Sequence, residues 1–397
     1  MAVTDRGMSA REWMGLLGLT FSAFIFNTSE FVPIGLLTDI GASFGMGDAQ
    51  TGVMISAYAW AVALLSLPLM LLTSRLELKK LLLGVVAVFF AGQALAVVAT
   101  SFAVLVVARL VVACAHAIFW SIAAPIAVRV VPERFKPLAL SMVATGTSVA
   151  MILGLPLGRA IGLLAGWRSA FLCVAVAAAV VFFYLSALLP KLAVDKPFTL
   201  AQLPALLHNR VLMGIYLMIL FISTGYYVGY SYIEPFMLKV AGLGEGEITG
   251  LLTVFGVAGI AGSLVFARAY DGHRMAFVRL VVLGMLASLA LMLPAAASPV
   301  TVLGLCVVWG FFATSFNVAL QAEELACIPT EASAVAMSIY SGTFNLGIGA
   351  GTVLGGVVAD GPGLAALGPV GAALIAVAFV YCVVRYVPMA RRRARQG

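Results

Sequence analysis

Four ionisable residues, Glu30, Arg109, His116 and Glu234, lie inside long apolar runs of the sequence. A charged side chain near the centre of a bilayer costs about 2.5–3.5 kcal/mol even on lenient insertion scales. We therefore expect these residues to do chemistry, such as carrying a proton or contacting a polar ligand.

Glu30 lies in the stretch AFIFNTSEFVPIGLL, residues 23–37, three residues after Asn27. Side chains at that spacing share one face of a helix. An ionised carboxylate needs a wet site, whereas a protonated one tolerates a closed, dry site, so its protonation can bias a conformational equilibrium. We predict that Glu30 carries a proton. The alternative is a protonated carboxyl that only hydrogen-bonds a neighbouring helix.

His116 shares a helix face with Arg109 and Trp120, at spacings of seven and four residues. The unperturbed pKa of imidazole is about 6.5, so His116 can exchange a proton near neutral pH or hydrogen-bond a hydroxyl. We predict that it relays the proton or contacts the ligand. The alternative is a buried histidine satisfied by its neighbours. Arg109 stays charged and must meet an acceptor that the sequence does not identify.

Amide and aromatic side chains recur in the same apolar runs. They suit a polyhydroxylated ligand, because they offer many hydrogen bonds and flat faces but no countercharge. Tyr232 and Glu234 fit better in an aromatic belt at the membrane interface. The candidate substrate-binding residues are Asn27, Trp60, His116, Trp120, Tyr226, Tyr227, Tyr230, Asn317, Gln321 and Asn345.

Motifs for other chemistries are missing from the sequence. The five cysteines have no CxxC or CxxH spacing, and no second histidine accompanies His116, so we expect no disulfide framework and no metal. GIGAGT, residues 347–352, follows no strand and is not read as a nucleotide loop. HExxH, GxSxG and paired-aspartate motifs are absent, so we expect no enzyme and no cofactor.

Composition places these residues in a membrane protein. The chain of 397 residues is 63% hydrophobic and 10% charged, with a mean hydropathy of +1.12, whereas soluble domains carry about 25% charged residues. The net charge of +7 comes from basic residues that punctuate apolar runs rather than cluster, which argues against nucleic acid.

Twelve runs are long enough to span a bilayer, which needs about 20 apolar residues. The first is too long for a signal peptide and precedes no A-x-A site, so we keep it as a span. The tenth is expected to end before Glu323 and Glu324, which we place in a loop. The runs are 13–38, 50–73, 80–99, 102–129, 137–163, 167–189, 211–238, 247–268, 276–297, 299–321, 331–359 and 366–388.

Basic residues orient these spans. With the N-terminus in the cytoplasm, nineteen Lys and Arg residues fall on the cytoplasmic side and three, Arg159, Arg168 and Lys239, fall outside. This positive-inside bias holds only for an even number of spans and predicts that both termini are cytoplasmic.

The two halves of the chain look related. At a constant offset of 197, Pro132 aligns with Pro329, and Gly154 with Gly351. We predict a six-helix bundle over 1–189, a cytoplasmic linker over 190–210, and a second bundle with a basic tail over 211–397. Parallel repeats of this kind place a substrate near the membrane midplane.

Several stretches carry a family resemblance: FIFNTSEFVPIGLLTDI, ACAHAIFWSIAAPIAVR, LGLPLGR, YSYIEPF and SGTFNLGIGAG. They resemble the SotB-type sugar efflux transporters, in the drug:proton antiporter branch of the major facilitator superfamily. The resemblance implies an all-α membrane protein with twelve transmembrane helices in two pseudo-symmetric six-helix bundles. Spans one, four, seven and ten would line the cavity. We expect a monomer in the bacterial inner membrane.

The resemblance also assigns roles to residues. Glu30 matches the acid in the first span of drug-efflux members, Arg109 the arginine of the fourth span, and GLPLG (Gly154, Pro156, Gly158) the antiporter signature of the fifth. The loop after span two departs from the family, with Arg75 where an aspartate is usual. The resemblance therefore does not assign a gating role to that loop. The second-half loop keeps Asp271 and Arg274 as gating residues.

These expectations converge on a sugar:proton antiporter that exports arabinose- or thiogalactoside-type sugars by alternating access. Its partners would be a small sugar, protons and the lipid bilayer, with no nucleic acid. The alternatives are a multidrug:proton antiporter, which would pair cationic substrates with the glutamate, and an uncoupled sugar facilitator.

Overall fold

A computed structural model of the chain describes residues 7–192, 203–329 and 333–394. Across these ranges the regular structure is helical and contains no strand. Twelve of the described helices are long and apolar enough to cross a membrane, which confirms the predicted all-α class and number of spans.

The first six spanning helices follow the predicted runs closely. Each boundary lies within a few residues of its prediction. They are α1 Ala10–Gly35, α2 Asp48–Thr73, α3 Leu78–Val97, α4 Phe102–Arg129, α5 Lys136–Ala165 and α6 Trp167–Leu188. A short helix, Leu37–Ser43, follows α1, and a 3₁₀ turn, Glu133–Phe135, precedes α5.

The remaining spans begin after the short helix Leu203–Leu207. The helical segment Glu245–Ala290 contains the eighth and ninth spans and has non-helical backbone angles at His273. Short helices Ile233–Lys239 and Met292–Ala295 follow the seventh and ninth spans. The spans are α7 Arg210–Tyr230, α8 Glu245–Phe266, α9 Gly272–Ala290, α10 Pro299–Ala326, α11 Ser333–Asp360 and α12 Leu367–Tyr381, the last continuing through a π-helical turn, Cys382–Tyr386, into Val387–Ala394.

Local sequence signals begin several of these helices. The Ser101 hydroxyl accepts a hydrogen bond from the backbone N–H of Val104 at the start of α4. At the start of α10, Ser298 precedes Pro299 and accepts from the N–H of Thr301. Such caps satisfy N–H groups that have no partner within the helix.

Several predicted boundaries were wrong; the ninth span, for example, ends at Ala290 rather than at 297. The tenth span does not end at residue 321 but continues to Ala326, so Glu323 and Glu324 are helical and fully buried rather than in a loop. The stretch between spans eight and nine is helical except at His273. Charged residues suggested loops at the end of the tenth span and between spans eight and nine, but donors from distant helices satisfy the Glu323 carboxylate.

Contacts divide the chain into two compact units. Unit 1 comprises residues 1–32 and 64–198, and unit 2 comprises residues 33–63 and 199–397. The divisions at 32/33 and 63/64 fall inside α1 and α2. The predicted bundles, 1–189 and 211–397, differ from these units in assigning 33–63 to the first half, and they stay a prediction.

Glycines bring α5 against α1 within unit 1. A Cβ added to Gly154 would lie 3.0 Å from the Thr28 Cα, and one added to Gly158 would lie 2.5 Å from a methyl of Val32. Helices approach this closely only where small residues line the contact. Pro156 lies between the two glycines, inside α5. This packing holds the helix that carries Glu30.

In unit 2, α8 packs against α10 through glycines from both helices. A Cβ on Gly310 would overlap the backbone carbonyl of Phe255, and one on Gly262 would overlap the Phe311 carbonyl. Because backbone atoms cannot move aside as flexible side chains do, α10 is held at a fixed distance from α8.

The described residues on either side of 193–202 are tied to their own units. In unit 1, the Leu192 N–H donates to the Glu77 carboxylate (2.6 Å) and the Leu78 N–H donates to the Leu192 carbonyl (3.0 Å). In unit 2, the Asn209 side chain caps α7 and donates to the Cys327 carbonyl (2.9 Å). Part of the predicted linker, 193–202, lies outside the described residues.

Candidate functional site

The unit 1 cluster is formed by Glu30 on α1 and by Arg109, His116 and Trp120 on α4. The Glu30 side chain is 16% exposed, and its Oε2 lies 3.7 Å from the His116 Nε2. The two residues are far apart in sequence, so the fold brings together two of the ionisable residues that stood out in the apolar runs. His116 is 3% exposed and lies beside the ring of Phe26, with centroids 6.2 Å apart.

The Trp120 indole defines the protonation of His116 in this state. Its Nε1–H donates to the His116 Nε2 at 2.6 Å. An indole nitrogen can only donate, so the His116 Nε2 must accept and carries no proton. The ring is therefore neutral with its proton on Nδ1, and the 3.7 Å contact with Glu30 is not an ion pair.

Arg109 meets its acceptors on α1, next to Glu30. The guanidinium is 1% exposed and donates to the Ser29 carbonyl (3.0 Å) and hydroxyl (3.3 Å). The Gln93 amide of α3 donates to the same hydroxyl. Sequence reasoning could not find Ser29, because a serine in an apolar run carries no signal of its own. The Arg109 charge acts on both Glu30 and His116.

Asn27 completes the polar part of unit 1. It is 7% exposed, and its Nδ2 has no acceptor among the described residues. A buried amide donor without a partner is costly. Asn27 therefore offers a hydrogen bond to a bound ligand or to water.

The tyrosines of α7 are packed in an aromatic cluster of unit 2. Tyr226, Tyr227 and Tyr230 are 6%, 3% and 3% exposed. Tyr226 stacks on Tyr230 with centroids 4.8 Å apart, and both rings lie against Trp309 at 5.8 and 6.2 Å. Tyr227 meets Phe344 edge-on at 6.1 Å. The structure thus places these predicted site residues among apolar rings.

Amides of α10 and α11 form a second polar set in unit 2. The half-buried Gln321 donates to the Asn317 side-chain oxygen at 2.8 Å, and the Tyr340 hydroxyl donates to the same oxygen at 3.0 Å. On α11, Asn345 donates to the Ser341 carbonyl, while its Oδ1 has no donor among the described residues. Trp60, 38% exposed, donates weakly to the Leu346 carbonyl (3.4 Å).

A cluster around Glu323 lies at the end of α10. The Glu323 carboxylate accepts from the hydroxyls of Tyr270 (2.6 Å) and Tyr386 (2.5 Å), from the Arg274 Nη2 (2.8 Å) and from the Arg274 Nε. Arg274, expected to act in gating, is thus bound to an acid that was predicted to lie in a loop. The side chain of Asp271 lies outside those described.

The loop between α2 and α3 has a different acid at its centre. Glu77 accepts from the N–H groups of Lys79, Lys80 and Leu192. Partial burial raises its pKa, but the hydrogen bonds from these three N–H groups and the Lys80 charge outweigh this and hold the pKa below its ordinary value. Glu77 therefore stays ionised as a cap.

Glu234 and Tyr232 do not lie in an interfacial belt as predicted. Both are 1% exposed. Glu234 accepts from the Thr38 hydroxyl (2.9 Å) and N–H (3.3 Å), and the Tyr232 hydroxyl donates to the Thr352 carbonyl (2.9 Å). Near them, Lys239 pairs with Asp48 at 2.5 Å.

The described residues contain no group of three or more His, Cys, Asp or Glu that could hold a metal ion. The arrangement consists of buried carboxyls, one neutral imidazole and hydrogen-bonding amides in a helical membrane protein. These groups can bind a proton and a polar molecule.

Comparison with known proteins identifies the class. Residues 19–323 match the Major Facilitator Superfamily, and the chain belongs to this superfamily of multi-pass membrane transporters, whose fold works by alternating access.

Solved structures of similar fold cover nearly the whole chain. A bacterial homologue of the human lysosomal transporter Spinster, solved inward-facing in unoccupied and occupied forms, is 16% identical, with a TM-score of 0.74 over 97% of this chain and 98% of that one. The human organic anion transporter MFSD10 (TETRAN) is 15% identical, with a TM-score of 0.70 over 94% and 99%. At such identities the likeness is one of fold alone.

Proposed function

We propose that this chain is a proton-coupled sugar exporter of the bacterial inner membrane, with both termini in the cytoplasm. The observation that carries the proposal is the position of Glu30, whose carboxylate lies 3.7 Å from a histidine nitrogen that already accepts a tryptophan N–H. An acid and a base thus lie side by side in a site that is mostly closed to water.

Glu30 carries the proton. Protonated, its carboxyl is neutral and compatible with a closed site; ionised, it needs water or a donor. His116 responds to Trp120. While the indole donates to Nε2, that nitrogen cannot accept a proton. Once the indole moves away, Nε2 can take the proton from Glu30 or hydrogen-bond a sugar hydroxyl.

The sugar is recognised by amides and aromatic faces. In unit 1 the unpartnered N–H of Asn27 and the half-buried indole of Trp120 supply contacts. In unit 2 the candidates are Trp60, Asn317, Gln321 and Asn345, together with Tyr226, Tyr227 and Tyr230. Neutral groups that both donate and accept match a molecule rich in hydroxyls.

The test of coupling is transport in proteoliposomes. We expect a sugar gradient alone to move protons in the opposite direction through the wild-type protein. Glu30→Gln should abolish uphill export while leaving downhill sugar exchange. Glu133→Gln is a matched control, because Glu133 is 78% exposed in a surface pair with Lys136. Proton-driven accumulation by Glu30→Gln equal to that of the control would refute the role of Glu30.

A voltage test separates the alternatives. Each proton that enters as a neutral sugar leaves moves one positive charge, for which 100 mV supplies about 2.3 kcal/mol. At about 1.4 kcal/mol per factor of ten, that voltage holds roughly a 40-fold sugar gradient per proton.

Export at matched pH should therefore respond to a potassium–valinomycin potential. Exchange of one proton for a monovalent cation moves no net charge, so voltage-independent uphill flux would favour a multidrug antiporter. Sugar flux that never runs uphill would favour an uncoupled facilitator.

A further inference from the structure

Two adjacent glutamates at the end of α10 lie in different environments. Glu323 and Glu324 are both fully buried. Glu323 receives the hydrogen bonds of two tyrosines and an arginine, which is the environment of an ionised carboxylate. Glu324 is oriented toward α7 and α11 instead.

The Glu324 carboxyl has one hydrogen-bond partner among the described residues. Its Oε1 lies 2.9 Å from the Tyr216 hydroxyl oxygen. Its Oε2 has no partner there. Of the described titratable groups, Tyr216 of α7, Tyr340 of α11 and Cys327 just after α10 interact with Glu324 or its phenol partner. None of these is a cation, whereas Arg274, Tyr270 and Tyr386 face Glu323.

The Tyr216 hydroxyl has two oxygens within reach and only one proton to give. Besides Glu324, it lies 3.1 Å from the Ala336 carbonyl oxygen. If Tyr216 donates to that carbonyl, the contact with Glu324 is a hydrogen bond only when the acid itself carries the proton and donates it to the phenol oxygen. If Glu324 is ionised, Tyr216 must turn to it and release the carbonyl.

The burial of Glu324 also favours the protonated carboxyl over the ionised one. An ionised carboxylate with a single neutral donor and no cation nearby bears most of its desolvation penalty uncompensated. A protonated carboxyl is neutral, and it can donate to the Tyr216 oxygen while Tyr216 donates to the Ala336 carbonyl.

We propose that Glu324 is a proton-binding site of unit 2, protonated in this state and releasing its proton to water when water reaches the carboxyl. In the release step the acid O–H bond breaks, its electron pair stays on the carboxylate, and Tyr216 turns from Ala336 to donate to it. The site lies at the end of α10 that the basic residues predict to be cytoplasmic. Its use in transport rests on the proton coupling proposed above.

Infrared spectroscopy of the full-length protein in lipid tests the site without transport or sugar. The C=O stretch of a protonated carboxyl is separate from the bands of a carboxylate. We expect the carboxylic-acid band of the wild type to contain a component that is missing from Glu324→Gln and unchanged in the surface control Glu133→Gln. This component should fall reversibly as pH is raised, with one more proton released per molecule than by Glu324→Gln.

Tyr216→Phe gives an independent result should Glu324→Gln not fold. It removes the acceptor of the acid proton, so the acid band should shift to higher frequency. An acid band that neither variant alters would overturn the proposal, and so would uphill export by Glu324→Gln equal to that of Glu133→Gln. A wild-type protein that has the Glu324 band but moves no protons with sugar would instead refute the proposed function.

Discussion

Replacing Glu323 by glutamine should destabilise unit 2 strongly. Four donor atoms converge on this carboxylate, two from tyrosine hydroxyls and two from Arg274. A glutamine of nearly the same shape keeps one oxygen as an acceptor but turns an NH₂ group toward the remaining donors. It also removes the charge that the guanidinium faces.

The magnitude follows from burial on the two sides of the pair. Breaking a fully buried ion pair costs about 3–5 kcal/mol. Glu323 is fully buried, but the Arg274 side chain is 37% exposed, so water compensates part of the stranded positive charge. We expect a loss of about 2–4 kcal/mol for Glu323→Gln. In a domain of about 200 residues this lowers the melting temperature by roughly 4–16 °C.

The free cysteines provide the assay. Cys306, Cys327 and Cys382 are buried and belong to unit 2, whereas in unit 1 Cys114 is half-buried and Cys173 is exposed. In a background with Cys114 and Cys173 replaced by serine, a thiol-reactive dye gains fluorescence only as the buried thiols become accessible. Its signal on heating therefore follows unfolding of unit 2.

The control is again Glu133→Gln, since an exposed pair contributes about 0–1 kcal/mol. Tyr386→Phe should cause a smaller loss than Glu323→Gln, because it removes one donor and leaves the pair with Arg274. If Glu323→Gln and Glu133→Gln had the same melting temperature, the Glu323 carboxylate would not hold these helices together and the reasoning would be refuted.

Three further predictions use matched pairs in melting experiments. Gly310→Val should cost about 1–3 kcal/mol, because its Cβ would overlap a backbone carbonyl of α8, while Gly304→Val, in open space on the same helix, should cost far less. Tyr232→Phe should cost about 1 kcal/mol by losing a buried hydrogen bond, and Tyr184→Phe, which loses an exposed one of equal length, should cost less; equal losses would contradict the argument. Because the pKa of Glu77 is lowered in the folded state, its ionised carboxylate stabilises the fold fully above the ordinary glutamate pKa of about 4.3. This stabilisation is lost as pH falls through the lower folded pKa. The melting temperature of Glu77→Gln should therefore lie below that of the wild type at pH 7 and converge with it in acid.

The spans could be predicted from the sequence because lipid offers no hydrogen bonds to the backbone. Every spanning segment must satisfy its own N–H and C=O groups, so long apolar runs become helices whatever their neighbours are. The end of α10 was predicted wrongly because it depends on contacts that are distant in sequence. Glu323 and Glu324 look like loop residues, and the groups that let them be buried, such as Tyr216 and Arg274, are distant in sequence.

The candidate site, too, could be predicted only where its residues share one helix. The spacing of four residues between His116 and Trp120 was visible in the sequence, and the structure adds a hydrogen bond of 2.6 Å. The approach of Glu30 to His116, and of Ser29 to Arg109, depends on how α1 packs against α4. No pattern within either helix specifies that packing, and the roles of these residues stay predictions.

The anchoring of Leu192 and Asn209 has a consequence for chain connectivity. Each residue is bonded into its own unit, Leu192 by the α2–α3 loop and Asn209 by the end of α10. The stretch between them therefore need not hold either end in place. Co-expressed fragments divided in this stretch should each keep the contacts that order their new end.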